Sequence, residues 1–501
     1  MKRNLDTLKK NTYDLLVVGG GINGAAISYL ASAAGLNVAL IEKGDFASGT
    51  SSKSSKLVHG GIRYLESFQF SLVREALLER YIHLKEVPHL VKPLPFIIPV
   101  YSEDKRPLWF IQLGVFLYDL MSGKYNIQKF KKLTRDEIIQ MEPALKQEGL
   151  KGGFLYYDAQ MDDARLCLEN ILSAHATGAD VANYCEVKSF LKKDGVVTGV
   201  RVKDLLLEEE REFDVKAEKV ICAAGPWTNE LLKMDDPSAT EVVRTTKGIH
   251  IVYPKKLTEK ALVISSSKDK RIFFVIPWQG NSLIGTTETD YSDNLDNVTV
   301  DEKDIDYLLE ETKRVFPHVN INKNEPFITF AGLRPLVKRK GNPSKISREH
   351  MIFESNSKIT FVVGGKYTTY RKVALDCLSR FIYIQPSLNH PLYGGGSILD
   401  NPKEIMAEYG LDLEVLSSLM GFYGSRYKEV LRLIKEDASL KETVCPHNSI
   451  IRAQIKYAFD YEMAQKEEDV IYRRLSIGYN ACLMNECKEH FKKAIAEINP
   501  K

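Results

Sequence analysis

Gly19, Gly21 and Gly24 form a G-x-G-x-x-G turn after the apolar run Tyr13–Val18 and before a segment that opens as a helix. Each glycine answers a different chemical need. Gly19 permits a tight turn, Gly21 lets backbone N–H groups approach a pyrophosphate without a Cβ clash, and Gly24 lets the helix pack closely on the strand. The pyrophosphate then sits at a helix N-terminus, where N–H groups and the dipole favour an anion. A second apolar run, Asn37 to Ile41, ends in Glu42, at the distance expected of the carboxylate that accepts hydrogen bonds from adenosine ribose hydroxyls. A turn that only connected elements would not need Glu42. The pattern predicts a nucleotide cofactor.

The elements that position this turn are not a steady strand–helix alternation. After the opening βαβ unit the order is mixed, so the nucleotide domain is expected from separated segments: 13–90, 150–228 and 350–385. Lys219–Trp227 and Phe361–Lys366 each read as a buried strand running into glycine, as needed where backbone approaches a flat ligand. Runs such as Gly248–Val252, Arg271–Pro277 and Ser282–Thr287 suggest a largely antiparallel substrate domain, placed at 91–149 and 229–349. Beyond Gly394-Gly395-Gly396, apolar residues at three- and four-residue spacing (Ile455, Ala458, Phe459, Met463) predict a helical C-terminal domain over 397–501.

A chain of 501 residues suggests two or three domains, and 44% hydrophobic residues is a globular composition. The seven cysteines are scattered, with no CxxC pair, and indicate neither a zinc site nor a disulfide framework; no metal is expected. A net charge of +3, spread along the chain, gives little support for nucleic-acid binding. Met1 to Thr12 has no apolar stretch, and no run of about 18 apolar residues occurs, so a cytoplasmic protein is expected. One stretch stands out. Read as a helix, Leu108–Met121 places Trp109, Leu113, Phe116, Leu117 and Leu120 along one side, with cations at both ends. An interfacial membrane segment would look like this, and so would an ordinary core helix.

The run Thr50–Glu66 is the most distinctive. Together with Val18–Gly24, Ala223–Trp227, Lys247–His250, Phe274–Trp278, Gly285–Thr287, Gly332–Leu336 and Gly364–Arg371, it closely resembles the FAD-dependent glycerol-3-phosphate dehydrogenases. Weaker similarity continues to Tyr472-Arg473-Arg474. Ala26 stands where the family usually has a third close-packing glycine, a departure that touches helix packing and not the phosphate turn. The resemblance implies an α/β fold with a Rossmann-like FAD-binding domain of the glutathione-reductase/D-amino-acid-oxidase type. It further implies oxidation of sn-glycerol 3-phosphate to dihydroxyacetone phosphate, with electrons passed to membrane quinone. The amphipathic stretch then becomes a plausible lipid contact at the inner face of the membrane, and a homodimer is a further expectation. An oxidase using oxygen and a non-catalytic flavin scaffold are the rivals.

Around FAD, the expected contacts are Gly19, Gly21, Asn23, Gly24, Glu42 and Lys43, then Thr50, Ser51, Ser52, Ser55 and Lys56, then Ala223, Gly225, Gly365, Lys366 and Thr368. Oxidising a secondary alcohol needs removal of the hydroxyl proton and a grip on the substrate. His59 and His250 are natural proton acceptors because imidazole titrates near neutral pH, with Lys366 a third candidate. A phosphorylated substrate needs fixed cations, and guanidinium groups hold phosphate bidentately, which selects Arg63, Arg334 and Arg348, with Tyr64 beside the first. Arg334, wedged in Gly332-Leu333-Arg334-Pro335, is the least suited of these to a solvated surface.

Overall fold

The computed structural model describes residues 1–207, 211–269, 271–338, 349–384, 391–484 and 487–499. An eight-stranded sheet is built around Thr12–Val18, which pairs in parallel on one side with Val38–Ile41 and on the other with Glu212–Cys222. Val17 lies opposite both Leu40 and Ile221. Thr360–Gly364 continues the parallel order beyond Glu212–Cys222, and His350–Glu354 closes that edge antiparallel. Four consecutive residues, Leu15 to Val18, are buried, because helices cover one face of the sheet and an antiparallel β-layer the other; this is why the run is continuously apolar. Ile22–Ala33, Asp163–Ala176 and Tyr370–Leu378 pack on the first face through Val17, Ala25, Leu166, Ile171 and Val373. Each valine, leucine or isoleucine side chain so buried contributes about 1.5–3 kcal/mol.

The second sheet is largely antiparallel, as the run spacing predicts. Its long pairings are Val91–Tyr101 with Leu150–Met161 and Val243–Tyr253 with Ile328–Val337. Ala261–Ser265, Ile272–Trp278 and Asn281–Gly285 extend it, and Ala261–Ser265 meets Val91–Tyr101 in parallel. Leu57–Val58 joins this sheet by pairing with Leu150–Met161, so the serine-rich segment passes directly from the nucleotide turn to the substrate sheet.

Helices Pro402–Tyr409, Leu413–Tyr423, Tyr427–Glu436, Arg452–Tyr461 and Cys487–Ile498 make the C-terminal domain. Leu108–Ser122 is a helix whose inward face is Val115, Tyr118 and Ser122. The stripe singled out in the sequence points outward: Trp109 is 67% exposed and Leu120 65%, with Leu113 and Phe116 about half exposed and Leu117 partly buried. Among the described residues no helix is long and apolar enough to cross a membrane.

Candidate active site

A cleft of about 360 Å³ runs from the glycine turn and Glu42, past Thr50–Ser55, to His250, Arg334 and Gly364–Thr368. At its nucleotide end, Gly19 has φ +111°, a left-handed conformation natural only to glycine. A Cβ on Gly24 would lie 1.9 Å from the Gly19 carbonyl oxygen, which is the close helix–strand approach in atomic terms. A Cβ on Gly21 would meet only the Ser51 hydroxyl, at 3.2 Å, so the turn stays open toward the cleft. The helix that starts there has no acidic residue in its first turn, and Ser51 Oγ accepts from the Ile22 N–H at 2.9 Å. The Glu42 carboxylate accepts from the N–H groups of Gly20 at 2.6 Å and Gly44 at 2.8 Å, bracing the turn. Burial raises its pKa against these backbone donors.

Thr50 Oγ1 donates to the Leu333 carbonyl at 2.6 Å, tying the serine loop to the second sheet. The loop then splits by direction. Ser55 lines the cleft, whereas Lys56 takes φ +58° and sends its ammonium into a buried ion pair with Asp163, with a second bond to Ser52 O at 2.8 Å. Ser52 and Lys56 lie behind the cleft wall, outside its lining.

The far end is assembled from four segments. Ser55 Oγ and His250 Nε2 share a hydrogen bond of 2.8 Å, and the imidazole stacks on Phe330 with centroids 5.0 Å apart. Burial, then the charges of Arg334 and Lys56, push the His250 pKa well below the ordinary histidine value, so the ring is neutral. Arg334 Nη2 donates to Thr286 Oγ1 at 2.8 Å and Nη1 to the Thr287 carbonyl at 3.2 Å. Its guanidinium lies flat against Gly248, where a Cβ would come within 2.4 Å of it. The Lys366 ammonium sits 3.8 Å above the Tyr64 ring. Thr368 Oγ1 bonds the His59 backbone on both sides, at 3.2 Å and 3.3 Å, so His59 and the Gly364–Thr368 segment meet at one wall. Behind it, His83 Nε2 donates to the Thr368 carbonyl at 2.8 Å and stacks on Tyr370.

Of the residues selected from the sequence, Gly19, Gly21, Asn23, Glu42, Lys43, Thr50, Ser51, Ser55, His59, Tyr64, Ala223, Gly225, His250, Arg334, Gly365, Lys366 and Thr368 line one cleft. Gly24 packs beneath it. Arg63 stacks on Tyr64 at 5.1 Å without lining it, and Arg348 falls outside the described residues. Sequence reasoning assigned no part to Lys53, Thr286, Thr287 or His83. Lys53, Thr286 and Thr287 lay within quoted motifs, but nothing local distinguished them. Beyond Gly364-Gly365 the chain makes a 3₁₀ turn, Tyr367–Thr369, that leads into the helix Tyr370–Leu378.

An open glycine turn at a helix start, a carboxylate one strand away and a second glycine pair lining the cleft fit a flavin dinucleotide. The model of the FAD dependent oxidoreductase family matches residues 14–371, and that of the C-terminal domain of alpha-glycerophosphate oxidase matches residues 386–498. A glycerol-3-phosphate dehydrogenase of Synechocystis is 37% identical, over 95% of this chain and 91% of its own length. The aerobic glycerol-3-phosphate dehydrogenase of Staphylococcus aureus is 34% identical, over 95% of this chain and 88% of its own. The glycerol-3-phosphate dehydrogenase of Bacillus halodurans, solved with FAD, superposes with a TM-score of 0.80 at 29% identity, covering 98% of this chain and 91% of that one. FAD is therefore the cofactor, and the chain belongs to the family of FAD-dependent glycerol-3-phosphate dehydrogenases.

Proposed function

We propose that the protein oxidises sn-glycerol 3-phosphate to dihydroxyacetone phosphate and passes the electrons to membrane quinone. The observation that carries the reading is the convergence of Arg334, His250 and Lys366 on the cleft that also holds the glycine turn and Glu42. Bound FAD supplies the two-electron acceptor for the substrate's carbinol hydrogen. Arg334, fixed by Thr286 and Thr287, is the cation of the cleft that grips the substrate phosphate. His250, neutral and held by Ser55, takes the hydroxyl proton. A phosphate pairing with Arg334 offsets one of the charges that depress the imidazole, so substrate arrival itself makes His250 a better base. His59 and Tyr64 stand on the same wall as Lys366, and Lys366 with the N–H groups of Tyr367 and Thr368 would supply positive charge to the bound cofactor.

The names of the relatives and the exposed apolar side of Leu108–Ser122 support the quinone acceptor, since that side offers a route to lipid. A second reading, oxygen as acceptor, is favoured by the match of residues 386–498 to an oxidase C-terminal domain. Anaerobic addition of glycerol 3-phosphate to the yellow protein should bleach its flavin band, with glycerol and lactate leaving it intact. Bleaching by none of them would defeat the substrate assignment. Stoichiometric peroxide during aerobic turnover would move the acceptor to oxygen.

A further inference from the structure

Outside the cleft, the helical domain gathers sulfur ligands that no step above uses. Cys445 and His447 lie in the loop before Arg452–Tyr461, while Cys482 and Cys487 flank the start of the last helix, Cys487–Ile498. Folding brings the ligand atoms of Cys445, His447 and Cys487 within 4.8 Å of one another. His447 Nδ1 is 3.1 Å from Cys487 Sγ. Cys482 lies beside this group, since one amide, Asn448 Nδ2, donates to Cys445 Sγ at 2.8 Å and to Cys482 Sγ at 3.5 Å.

We propose that this cluster binds a structural zinc ion, with Cys445, His447 and Cys487 as nearly preformed ligands and Cys482 completing a tetrahedral Cys₃His set. Zinc–sulfur bonds of about 2.3 Å and zinc–nitrogen bonds of about 2.0 Å require ligand atoms roughly 3.5–3.8 Å apart, so side-chain shifts of about an ångström bring Cys445, His447 and Cys487 onto the ion and a side-chain rotation brings in Cys482. Simple packing does not account for the set. A buried cysteine filling space as a small hydrophobe has no need of an imidazole and two further thiols at one point. A disulfide would use two of the sulfurs and leave the third beside His447 unexplained. Three thiolates and an imidazole in tetrahedral array suit zinc over the oxygen-seeking cations.

The ion would clamp the last helix to the 445–447 loop, above the cluster of Ile455, Ala458, Phe491 and Ala494. The sequence hides the site because the ligands arrive as C-x-H and C-x₄-C, far apart in the chain, and neither spacing is a paired-cysteine signature.

Full-length, FAD-loaded protein, produced with zinc and iron present and purified reduced without chelator, should carry about one zinc per chain. Its zinc K-edge absorption should fit three sulfurs near 2.3 Å and one nitrogen near 2.0 Å. Cys487→Ser should lose at least ~90% of the metal, and His447→Ala, at an exposed position less prone to misfolding, should weaken retention about tenfold or more. Both should keep FAD and substrate-dependent bleaching, since neither residue lines the cleft. Less than ~0.1 zinc per chain in the wild type, iron in its place, a disulfide within the cluster in freshly reduced protein, or undiminished zinc in His447→Ala would each overturn the assignment.

Discussion

Arg474 grips Asp45 across 429 positions of sequence, its Nη1 and Nη2 donating to the two carboxylate oxygens at 2.7 Å and 2.8 Å with both side chains fully buried. Arg473 Nε adds a bond of 2.6 Å, and Asn183 Nδ2 donates at 3.0 Å. Asp45 belongs to the same turn as Glu42, so the C-terminal domain holds the loop that shapes the nucleotide end of the cleft.

Asp45→Asn should therefore weaken more than one domain. Removing one partner from a buried ion pair typically costs about 3–5 kcal/mol, because the remaining charge stays desolvated. A lower midpoint for flavin release on heating would report it, and an unchanged midpoint would detach the two domains energetically. Burial alone would raise the Asp45 pKa, but Arg474 and then Arg473 bring it down to about 2. Its contribution is thus complete above the unfolded value of about 3.9 and is lost as pH falls toward 2.

His83 gives a second pH dependence at milder acidity. Burial lowers its pKa to about 4, so the folded state refuses a proton that the unfolded chain binds near 6.5. Stability is complete above about pH 6.5 and falls as pH drops toward 4, where the group costs roughly 3 kcal/mol. Thermal midpoints at pH 7 and pH 5 should differ less in His83→Gln than in the parent.

Gly24→Ala places a methyl against backbone that cannot move aside, 1.9 Å from the Gly19 oxygen. Overpacking of about 1–3 kcal/mol or more should appear as a severalfold drop in flavin per chain after purification. Full loading would mean that the helix can shift without disturbing the turn.

Arg334→Ala should raise KM for glycerol 3-phosphate by about 10- to 100-fold, the range of a charge-assisted contact of roughly 1.5–3 kcal/mol. Arg334→Lys should recover only part, since an ammonium cannot reproduce the bonds to Thr286 and Thr287 together with a phosphate contact. Near-parental KM in both variants would remove Arg334 from substrate binding.

Trp109→Ala with Phe110→Ala should reduce binding to anionic lipid vesicles by about tenfold, as Trp109 of the exposed stripe and its exposed neighbour Phe110 are worth well over 1 kcal/mol together. Equal partitioning of parent and variant would assign the stripe to something other than lipid.

The glycine turn, the carboxylate after the second strand and the apolar strands around them were legible in the chain, because tight turns and side-chain periodicity are set by neighbours a few residues apart. That is why Gly19, Gly24 and Glu42 occupy the positions their spacing implied. The C-terminal helices were legible for the same reason. What local sequence does not encode is which way adjacent side chains point once the backbone bends. Ser55 and Lys56 looked alike in the serine-rich run, yet the left-handed turn at Lys56 sends one to His250 and the other to Asp163. Tertiary structure alone decided that Leu108–Ser122 turns its aromatic stripe outward, since periodicity fixes a stripe but not what covers it. It also decided that Ser55 meets His250 and that Thr286 meets Arg334, contacts set by sheet register between distant strands. The same long-range packing joins Asp45 to Arg474 and Cys445 to Cys487, pairs whose partners no short-range rule selects.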